Sequence, residues 1–384
     1  MRLLVLTQSF LPVMGGVEMC VHYLSWHWRR MGHEVLVVNM SSDTPVHPEA
    51  NYRVRRLRPL RGGDRFGWHR FPWRPWCQAQ LWHIMRSFQP DGISAHLAYP
   101  SGSWLGRMRL GVPWSITCHG VDVQVLEAYS YGDRLKFDLD RGLAHSFRQA
   151  TGIIVLSEAM RETVQGLGAP ASAITRLRNG ADRRLAACHE PLDVHARMQL
   201  PPGADYVLSV GRHHQVKGFE IGLKAFAKVA PDFPNTYYVL IGKDTSQLLG
   251  MAETYGIADR VRTCERLEGP DLWAVFQRAW LYLSSSRLEG MPLVGCQAVM
   301  AGLPLLATAC AGNCEVVEAW ENGLLCPIDD VDAMAQGLRL MLDDHALRHR
   351  LAQGSRARRG LYDWHHIAEQ HLQVLRQIPV SQPM

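Results

Sequence analysis

The segment from Ala279 to Gly302 restricts the possible fold more than any other part of this sequence. Its five apolar residues Ala279 to Leu283 are typical of a short buried strand, and the polar residues after them predict a loop. Pro292 stands where a helix would begin, and Leu293 to Met300 continue with helical spacing. A strand, a loop and a helix in this order predict an α/β fold with a parallel sheet.

Glu289 lies on that loop, so its position is the sheet edge where the carboxyl ends of the strands meet. Ligands of open α/β sheets bind at this edge. The backbone N–H groups of Leu293 and Val294 at the start of the helix predict an anion site. Gln297 follows Glu289 with seven residues between them.

The same order of strand, loop and helix occurs in both halves of the 384-residue chain, which is long enough for two domains. In the first half, a strand from Arg2 to Thr7 precedes Gly15 and Gly16. In the second, a strand ending at Val210 precedes Arg212 and Lys217. Glycine lets backbone approach a ligand closely, and the helix that follows attracts negative charge. A simple tight turn explains a Gly-Gly pair equally well.

A change of pattern marks the boundary between the two halves. Residues Arg183 to Ala204 combine charged residues with Pro191, Pro201 and Pro202. We therefore expect an N-terminal domain over 1–183, a C-terminal domain over 184–360 and a final helical segment over 361–384. We also expect one long helix from Tyr129 to Ala150.

The composition excludes several classes of protein. Hydrophobic residues make up 47% and charged residues 20%, as in ordinary globular proteins, and no apolar run reaches 18 residues. The N-terminal apolar run is too short for a secretory signal, and the nine cysteines are scattered, which favours reduced thiols and a cytoplasmic location. Cys310 and Cys314 are closely spaced, but nothing near them completes a metal site. The net charge of +5 does not by itself indicate nucleic acid.

The stretch from Arg53 to Trp76 has the most unusual composition. It holds eight arginines against one aspartate, a net charge of +7, with five aromatic residues among them. Arginine and tryptophan together suit an anionic membrane surface. A nucleic-acid patch and a solvated loop packed on its tryptophans are the alternatives. The candidates for acceptor or membrane contact are Arg65, Trp68, Arg70 and Trp73.

His119 follows a predicted strand from Pro113 to Cys118 and so belongs to the same ligand-binding edge. The alternative is a buried histidine whose ring is satisfied by backbone groups.

These positions together resemble the retaining glycosyltransferases of family 4. The resemblance covers nearly the whole chain and is carried by Gly15-Gly16, His119-Gly120, Asn179 to Asp182, Arg212 with Lys217-Gly218, and Glu289 to Val294. It implies a GT-B architecture: two Rossmann-like parallel-sheet domains facing a deep interdomain cleft. It also implies that the final segment, 361–384, crosses back to the N-terminal domain.

The resemblance implies an enzyme that transfers a hexosyl or N-acetylhexosaminyl group from a UDP- or GDP-linked donor to a glycan, lipid-linked or lipopolysaccharide-type acceptor. It implies retention and no metal or other cofactor, the protein's cations taking the place of Mg²⁺. His119, Glu289, Arg212 and Lys217 would be the catalytic residues, with Glu289 on the donor-sugar hydroxyls. The remaining donor-binding candidates are Gly16, Gly290, Met291, Pro292, Leu293, Val294 and Gln297.

One position departs from the family's pattern. Gln297 stands where the family usually has a second glutamate, which accepts hydrogen bonds from both ribose hydroxyls. A neutral amide is a weaker acceptor, and the loss costs about 1–2 kcal/mol. The alternative hypothesis is therefore a nucleotide-sugar-binding or partner protein with weakened turnover.

Overall fold

The computed structural model describes residues 1–13, 15–40, 50–58, 73–187 and 192–376. The chain forms two compact units. Unit 1 contains Met1–Arg178 together with the C-terminal helix, and unit 2 is Asn179–Asp363. The divisions lie a few residues from the sequence-based ones, at 178/179 and 363/364 rather than 183/184 and 360/361.

Unit 1 is built on a seven-stranded parallel sheet with strand order β3-β2-β1-β4-β5-β6-β7. In β1 the four residues after Arg2 are buried, and Leu4 pairs in register with Leu36 on one side and Ile93 on the other. Such continuous apolar runs are typical of strands covered on both faces. The strands are β1 Arg2–Leu6, β2 Glu34–Asn39, β3 Arg53–Arg56, β4 Gly92–His96, β5 Trp114–Thr117, β6 Gly152–Val155 and β7 Ile174–Arg176.

The described residues of unit 1 form seven α-helices. They are α1 Gly16–Arg30, α2 Trp73–Phe88, α3 Ser103–Leu105, α4 Asp133–Phe137, α5 Asp140–Gln149, α6 Glu158–Gly166 and, after the helices of unit 2, α16 Trp364–Arg376. The last helix packs against α1. Tyr23 and Trp364 stack with their ring centroids 5.4 Å apart, and the Trp28 indole N–H donates to the Ala368 carbonyl at 2.9 Å. The C-terminal helix is therefore part of the first unit.

The expectation of one helix from Tyr129 to Ala150 is wrong. Helical residues occur in two separate segments, α4 and α5, after a short 3-10 turn at Glu127–Tyr129. Ser130, Gly132 and Asp138 have positive φ angles of 48°, 118° and 48°. Residues in this region of φ cannot continue a right-handed helix, so the chain turns between the segments.

Unit 2 is built on a six-stranded parallel sheet with strand order β10-β9-β8-β11-β12-β13. Its core includes Leu223 and Phe226 of α9, Tyr238 and Leu240 of β9, and Leu338 of α14. The strands are β8 Asp205–Val210, β9 Thr236–Ile241, β10 Val261–Cys264, β11 Leu281–Ser284, β12 Leu305–Thr308 and β13 Gly323–Cys326. The helices are α7 Arg184–Ala187, α8 Val194–Arg197, α9 Phe219–Val229, α10 Leu249–Thr254, α11 Gly269–Arg278, α12 Leu293–Ala301, α13 Ala311–Cys314, α14 Val331–Asp343 and α15 His345–Arg358.

The strand orders decide which loops meet. In unit 2, β8, β11 and β12 are neighbours, so the loops at their carboxyl ends lie side by side. In unit 1, β4 and β5 are neighbours in the same way. Among the described residues, no helix combines the length and the apolar character needed to cross a membrane.

Candidate functional site

Glu289 is held on the loop between β11 and α12 by two hydrogen bonds to the same oxygen. Its Oε1 lies 2.6 Å from Lys217 Nζ and 2.7 Å from Ser286 Oγ, and 12% of its side chain is exposed. Among the described residues, no hydrogen bond reaches its second oxygen, Oε2. One carboxylate oxygen is thus fixed by the protein, while the other remains able to accept a hydrogen bond from a ligand.

Lys217 comes from the neighbouring loop, which follows β8 and ends in a single 3-10 turn, Gln215–Lys217. Two hydrogen bonds join the loops: the Arg287 backbone N–H donates to the Val216 carbonyl at 2.8 Å, and the Ser285 hydroxyl donates to the Lys217 carbonyl at 3.2 Å. An ammonium group carries three hydrogens, and the bond to Glu289 uses one of them. Because 27% of the Lys217 side chain is exposed, its ammonium group can also bind an anion from solvent.

Gly218 lets these two loops come so close. Its φ is +58°, and a Cβ there would lie 2.2 Å from the Ser285 carbonyl oxygen. Gly312, after β12, has the same role on the other side, since its Cβ would lie 2.5 Å from the Glu289 carbonyl oxygen. The position of Glu289 therefore depends on two residues that lack side chains.

Arg212 differs from Lys217 in its surroundings. It lies two residues beyond the end of β8 and is exposed. Its guanidinium forms no ion pair with any carboxylate of the described residues. One cation of the predicted pair is thus held against a carboxylate, and the other faces solvent.

The start of α12 provides backbone donors beside Glu289. Pro292 is the N-cap residue, with φ −70° and ψ 117°, and it offers no side-chain cap for the first N–H groups of the helix. Among the described residues, the N–H groups of Leu293 and Val294 therefore receive no side-chain cap. Met291 is buried, and its carbonyl accepts from Asn179 Nδ2 at 2.8 Å. Gly290 is also buried, and Gln297 lies half-buried further along α12.

Arg287 was not identified by the sequence analysis, although it orients these loops. Its side chain is 6% exposed, lies 2.5 Å from Glu220 Oε1 and 2.6 Å from Asp329 Oδ1, and donates to the Gln215 carbonyl. Burial alone would lower the pKa of Arg287, but the two carboxylates outweigh it and raise the pKa. A polar run of Ser-Ser-Ser-Arg directly after an apolar strand was the available signal, and the ion pairs were not visible in it.

In unit 1, His119 lies on the loop after β5 and is half-buried. Its Nε2 is 3.0 Å from Nδ1 of His96, the last residue of β4, so a single ring hydrogen is shared between them. Burial lowers the pKa of His119 to about 3. For His96, burial first, then His119 and His371, lower the pKa. The facing rings are therefore neutral.

Asp122 holds the loop after β5 in place through hydrogen bonds to its backbone. Its carboxylate is fully buried and accepts from the backbone N–H groups of Ala98 at 2.6 Å, His119 at 3.0 Å and Gly120 at 3.0 Å. Burial raises the pKa of Asp122, and the three N–H groups oppose that change. The sequence pointed to His119, whereas the positioning roles of His96 and Asp122 required the pairing of β4 with β5 to become visible.

Gly16 is the first residue of α1, and Gly15 is its N-cap residue, with extended backbone. A Cβ at Gly15 would lie 2.4 Å from an oxygen of Glu18, a buried carboxylate that accepts a hydrogen bond from Ser9. Gly15 therefore makes room for the protein's own carboxylate.

Of the four candidates for membrane contact, Arg65, Trp68 and Arg70 lie outside the described residues. Trp73 is 4% exposed, so its ring packs inside unit 1 and is no surface contact, which corrects the expectation for this residue. The exposed aromatic residues of α2 are Trp76 and Trp82, at 44% and 52%. Arg55, Arg56 and Arg58 line a concave surface together with Trp76 and Gln80.

Two family models match the chain. Residues 14–185 match "Glycosyltransferase Family 4", and residues 193–358 match "Glycosyl transferases group 1". A curated relative, a glycogen synthase of Mycobacterium tuberculosis, is 27% identical over 399 residues, covering 97% of this chain and 94% of the relative.

Solved structures show the same fold over nearly the whole chain. The sucrose-phosphate synthase of Thermosynechococcus elongatus matches with a TM-score of 0.82 and 22% identity, covering 98% of this chain and 99% of the other. Anabaena Alr3699/HepE in complex with UDP and glucose matches with a TM-score of 0.79 and 19% identity, covering 98% and 100%.

Proposed function

The chain belongs to the glycosyltransferases, with a family 4 domain and a group 1 domain, and from this we propose that it transfers a sugar from a UDP- or GDP-linked donor with retention and without a divalent cation. The acceptor is a glycan, a lipid-linked glycan or a lipopolysaccharide-type saccharide. The observation that supports the proposal best is the geometry of Glu289, whose Oε1 binds Lys217 and Ser286 while Oε2 receives no hydrogen bond from the described residues.

The leaving group requires positive charge. As the bond between the anomeric carbon and the phosphate oxygen breaks, both electrons go to the diphosphate, and its charge must be stabilised. Arg212 offers a planar set of N–H donors, Lys217 a compact ammonium, and the start of α12 two backbone N–H groups. This set can replace a metal, so we propose that none is needed.

The acceptor reacts at the face that the diphosphate leaves. Its hydroxyl oxygen bonds to the anomeric carbon, and its proton passes to the departing phosphate oxygen, so the configuration is retained. Glu289 Oε2 holds donor-sugar hydroxyls, and His119 contacts the sugar near the reacting carbon. A neutral imidazole suits this role, because a cation there would repel the positive charge that develops on the sugar ring.

The test begins with nucleotide binding. We expect UDP or GDP to raise the melting temperature, since a ligand that binds only the folded state stabilises it. Incubation with a panel of UDP- and GDP-sugars and short glycan acceptors, with and without EDTA, should then release nucleoside diphosphate and give a product with the donor's anomeric configuration by NMR.

Three outcomes test turnover, retention and metal independence one by one. Binding without release would favour the nucleotide-sugar-binding protein that Gln297 suggests. Inversion at the anomeric carbon would overturn retention, and a loss of activity in EDTA that Mg²⁺ restores would overturn metal independence.

We also propose that the arginine-rich surface of unit 1 binds an anionic membrane, as the exposed Trp76 beside Arg58 suggests. The protein should sediment with vesicles rich in anionic lipid at low salt and less so at high salt, because salt screens exposed charges. Vesicles of neutral lipid are the control. Failure to sediment at low salt would contradict membrane binding and would not affect the proposed sugar transfer.

A further inference from the structure

Unit 1 contains a cluster of soft donor atoms that sugar transfer does not use. The Cys20 thiol of α1 and one ring nitrogen each of His96 and His119 all lie within 4.8 Å of one another. Cys20 and His96 are buried, and His119 is half-buried. We infer that Cys20, His96 and His119 form a binding site for a zinc ion, and that the bound ion inhibits the enzyme.

The ligand types favour zinc over the hard cations. A thiolate and two imidazoles suit Zn²⁺, whereas Mg²⁺ and Ca²⁺ prefer oxygen ligands. Three protein ligands leave the fourth tetrahedral position to water. The ligands come from three elements, the helix α1, the end of β4 and the loop after β5, so the folded unit brings them together before any metal binds.

The two imidazoles already lie close to the spacing that a shared zinc ion requires, whereas the Cys20 thiol, within 4.8 Å of them, has to approach the ion. With Zn–N bonds of about 2.0–2.1 Å in a tetrahedral site, two ligating nitrogens lie about 3.3 Å apart. His96 Nδ1 and His119 Nε2 are now 3.0 Å apart with a hydrogen between them. The separation therefore has to change by only a few tenths of an ångström, and each ring turns so that its lone pair points at the ion instead of at the other ring.

Zinc binding displaces two hydrogens from the ligand atoms. The hydrogen shared by the facing nitrogens moves to the outer nitrogen of the same ring. For His96 this is Nε2, which faces Ser94 Oγ at 3.4 Å. The Cys20 thiol loses its proton to solvent, so each zinc ion that binds releases one proton. The ion reaches the site from solvent past His119, whose side chain is half-buried.

The predicted inhibition rests on the proposed function. Zinc on Nε2 of His119 fixes the imidazole and adds positive charge where we place the reacting carbon. The metal would therefore oppose transfer instead of assisting it.

The experiment measures metal binding without activity. Metal-free wild-type protein, prepared in EDTA and desalted, is titrated with Co²⁺ and then with Zn²⁺. We expect one Co²⁺ per chain with the charge-transfer absorption of a cobalt thiolate, its loss when zinc replaces cobalt, and release of about one proton per zinc added to the metal-free protein. A wild-type chain that binds no stoichiometric cobalt or zinc overturns the site.

Variants identify the ligands. Changing a residue that only supports a metal ligand commonly costs 10–100-fold in affinity, so Cys20→Ser and His96→Asn should each weaken zinc binding at least about 100-fold. Cys77→Ser is the matched control, because Cys77 is equally buried in unit 1 and lies outside the cluster. If Cys20→Ser loses its native circular dichroism, Cys20→Ala replaces it. Unchanged zinc affinity in folded Cys20 and His96 variants contradicts the assignment.

Activity is compared last, each variant against its own metal-free rate. Zinc should inhibit wild type and Cys77→Ser, EDTA should reverse it, and Cys20→Ser should need at least about 100-fold more zinc for the same inhibition, following its affinity. Zinc that binds at these residues without slowing a measured transfer overturns the inhibitory role. If no transfer is found with any donor, the proposed function fails while the binding data stand alone.

Discussion

The two units build their candidate sites from opposite kinds of side chain. In unit 2, charged groups neutralise one another at the carboxyl edge of the sheet, as Lys217 does with Glu289 and Arg287 with Glu220 and Asp329. In unit 1, the corresponding edge holds His96 and His119, whose pKa values are lowered by burial so that they carry no charge. Unit 2 thus presents paired charges at this edge of its sheet, and unit 1 presents neutral rings.

The largest effect should come from breaking the buried ion pairs of unit 2. Arg287→Met removes a side chain that is 6% exposed and leaves Glu220 and Asp329 without their cation. We expect a loss of about 3 kcal/mol in the opening free energy of unit 2, the lower end for a broken buried pair, because both carboxylates retain some contact with water. Hydrogen exchange measured on peptides from each unit gives the opening free energy of each unit separately. This is needed because a chain with two units need not unfold in a single transition.

Arg339→Met is the matched control for Arg287. Arg339 lies 2.6 Å from Asp232, but both side chains are about half exposed, at 50% and 53%. Exposed pairs contribute about 0–1 kcal/mol. If both variants lose the same stability, burial is not what distinguishes the ion pairs of the candidate site.

The next effect concerns catalysis. Lys217→Ala should lower kcat for sugar transfer at least about 100-fold, because one charged contact to the growing negative charge is lost. Lys228→Ala is the control, since Lys228 pairs with Asp332 on the exposed surface of unit 2. Steady-state rates with a saturating nucleotide sugar provide the measurement, and an unchanged kcat would exclude Lys217 from the mechanism.

The sequence predicted more of unit 2 than of unit 1, and the reason is physical. The position of Glu289 depends on local order along the chain: an apolar strand, a polar loop and a proline before a helix, all visible in consecutive residues. The pairing of His96 with His119 depends on β4 lying beside β5, residues 23 positions apart, which periodicity does not reveal. The helix expected from Tyr129 to Ala150 failed for a similar reason, because Ser130 and Asp138 adopt positive φ without a glycine to signal it.

Lowering the pH should destabilise unit 1 more than unit 2. His371 of α16 is buried, and burial, followed by the influence of His119, lowers its pKa to about 3. A folded-state pKa below the unfolded value gives stability that is present above about pH 6.5 and is lost as the pH falls towards 3. We expect unit 1 to lose about 2 kcal/mol for His371 alone between pH 7 and pH 4.5.

Hydrogen exchange at the two pH values, corrected for the intrinsic rate, would measure this loss. His371→Leu should flatten the pH dependence of unit 1, whereas the exposed His366→Leu should leave it unchanged. Equal acid sensitivity of the two units would mean that the buried rings do not control the stability of unit 1.

The smallest effect should come from the position where unit 2 departs from its family. Gln297→Glu restores a charged acceptor on α12, half-buried and without a hydrogen-bond partner among the described residues. A charge-assisted bond to a ribose hydroxyl adds about 1–2 kcal/mol, so a nucleoside diphosphate should bind about 5- to 30-fold more tightly by calorimetry. Gln247→Glu is the control, because Gln247 lies on the exposed surface of unit 2. Gln277→Glu is unsuitable, because the Gln277 amide donates to the Leu185 carbonyl. A large loss of affinity in Gln297→Glu would show that the amide is required, and that this unit binds its nucleotide differently from its relatives.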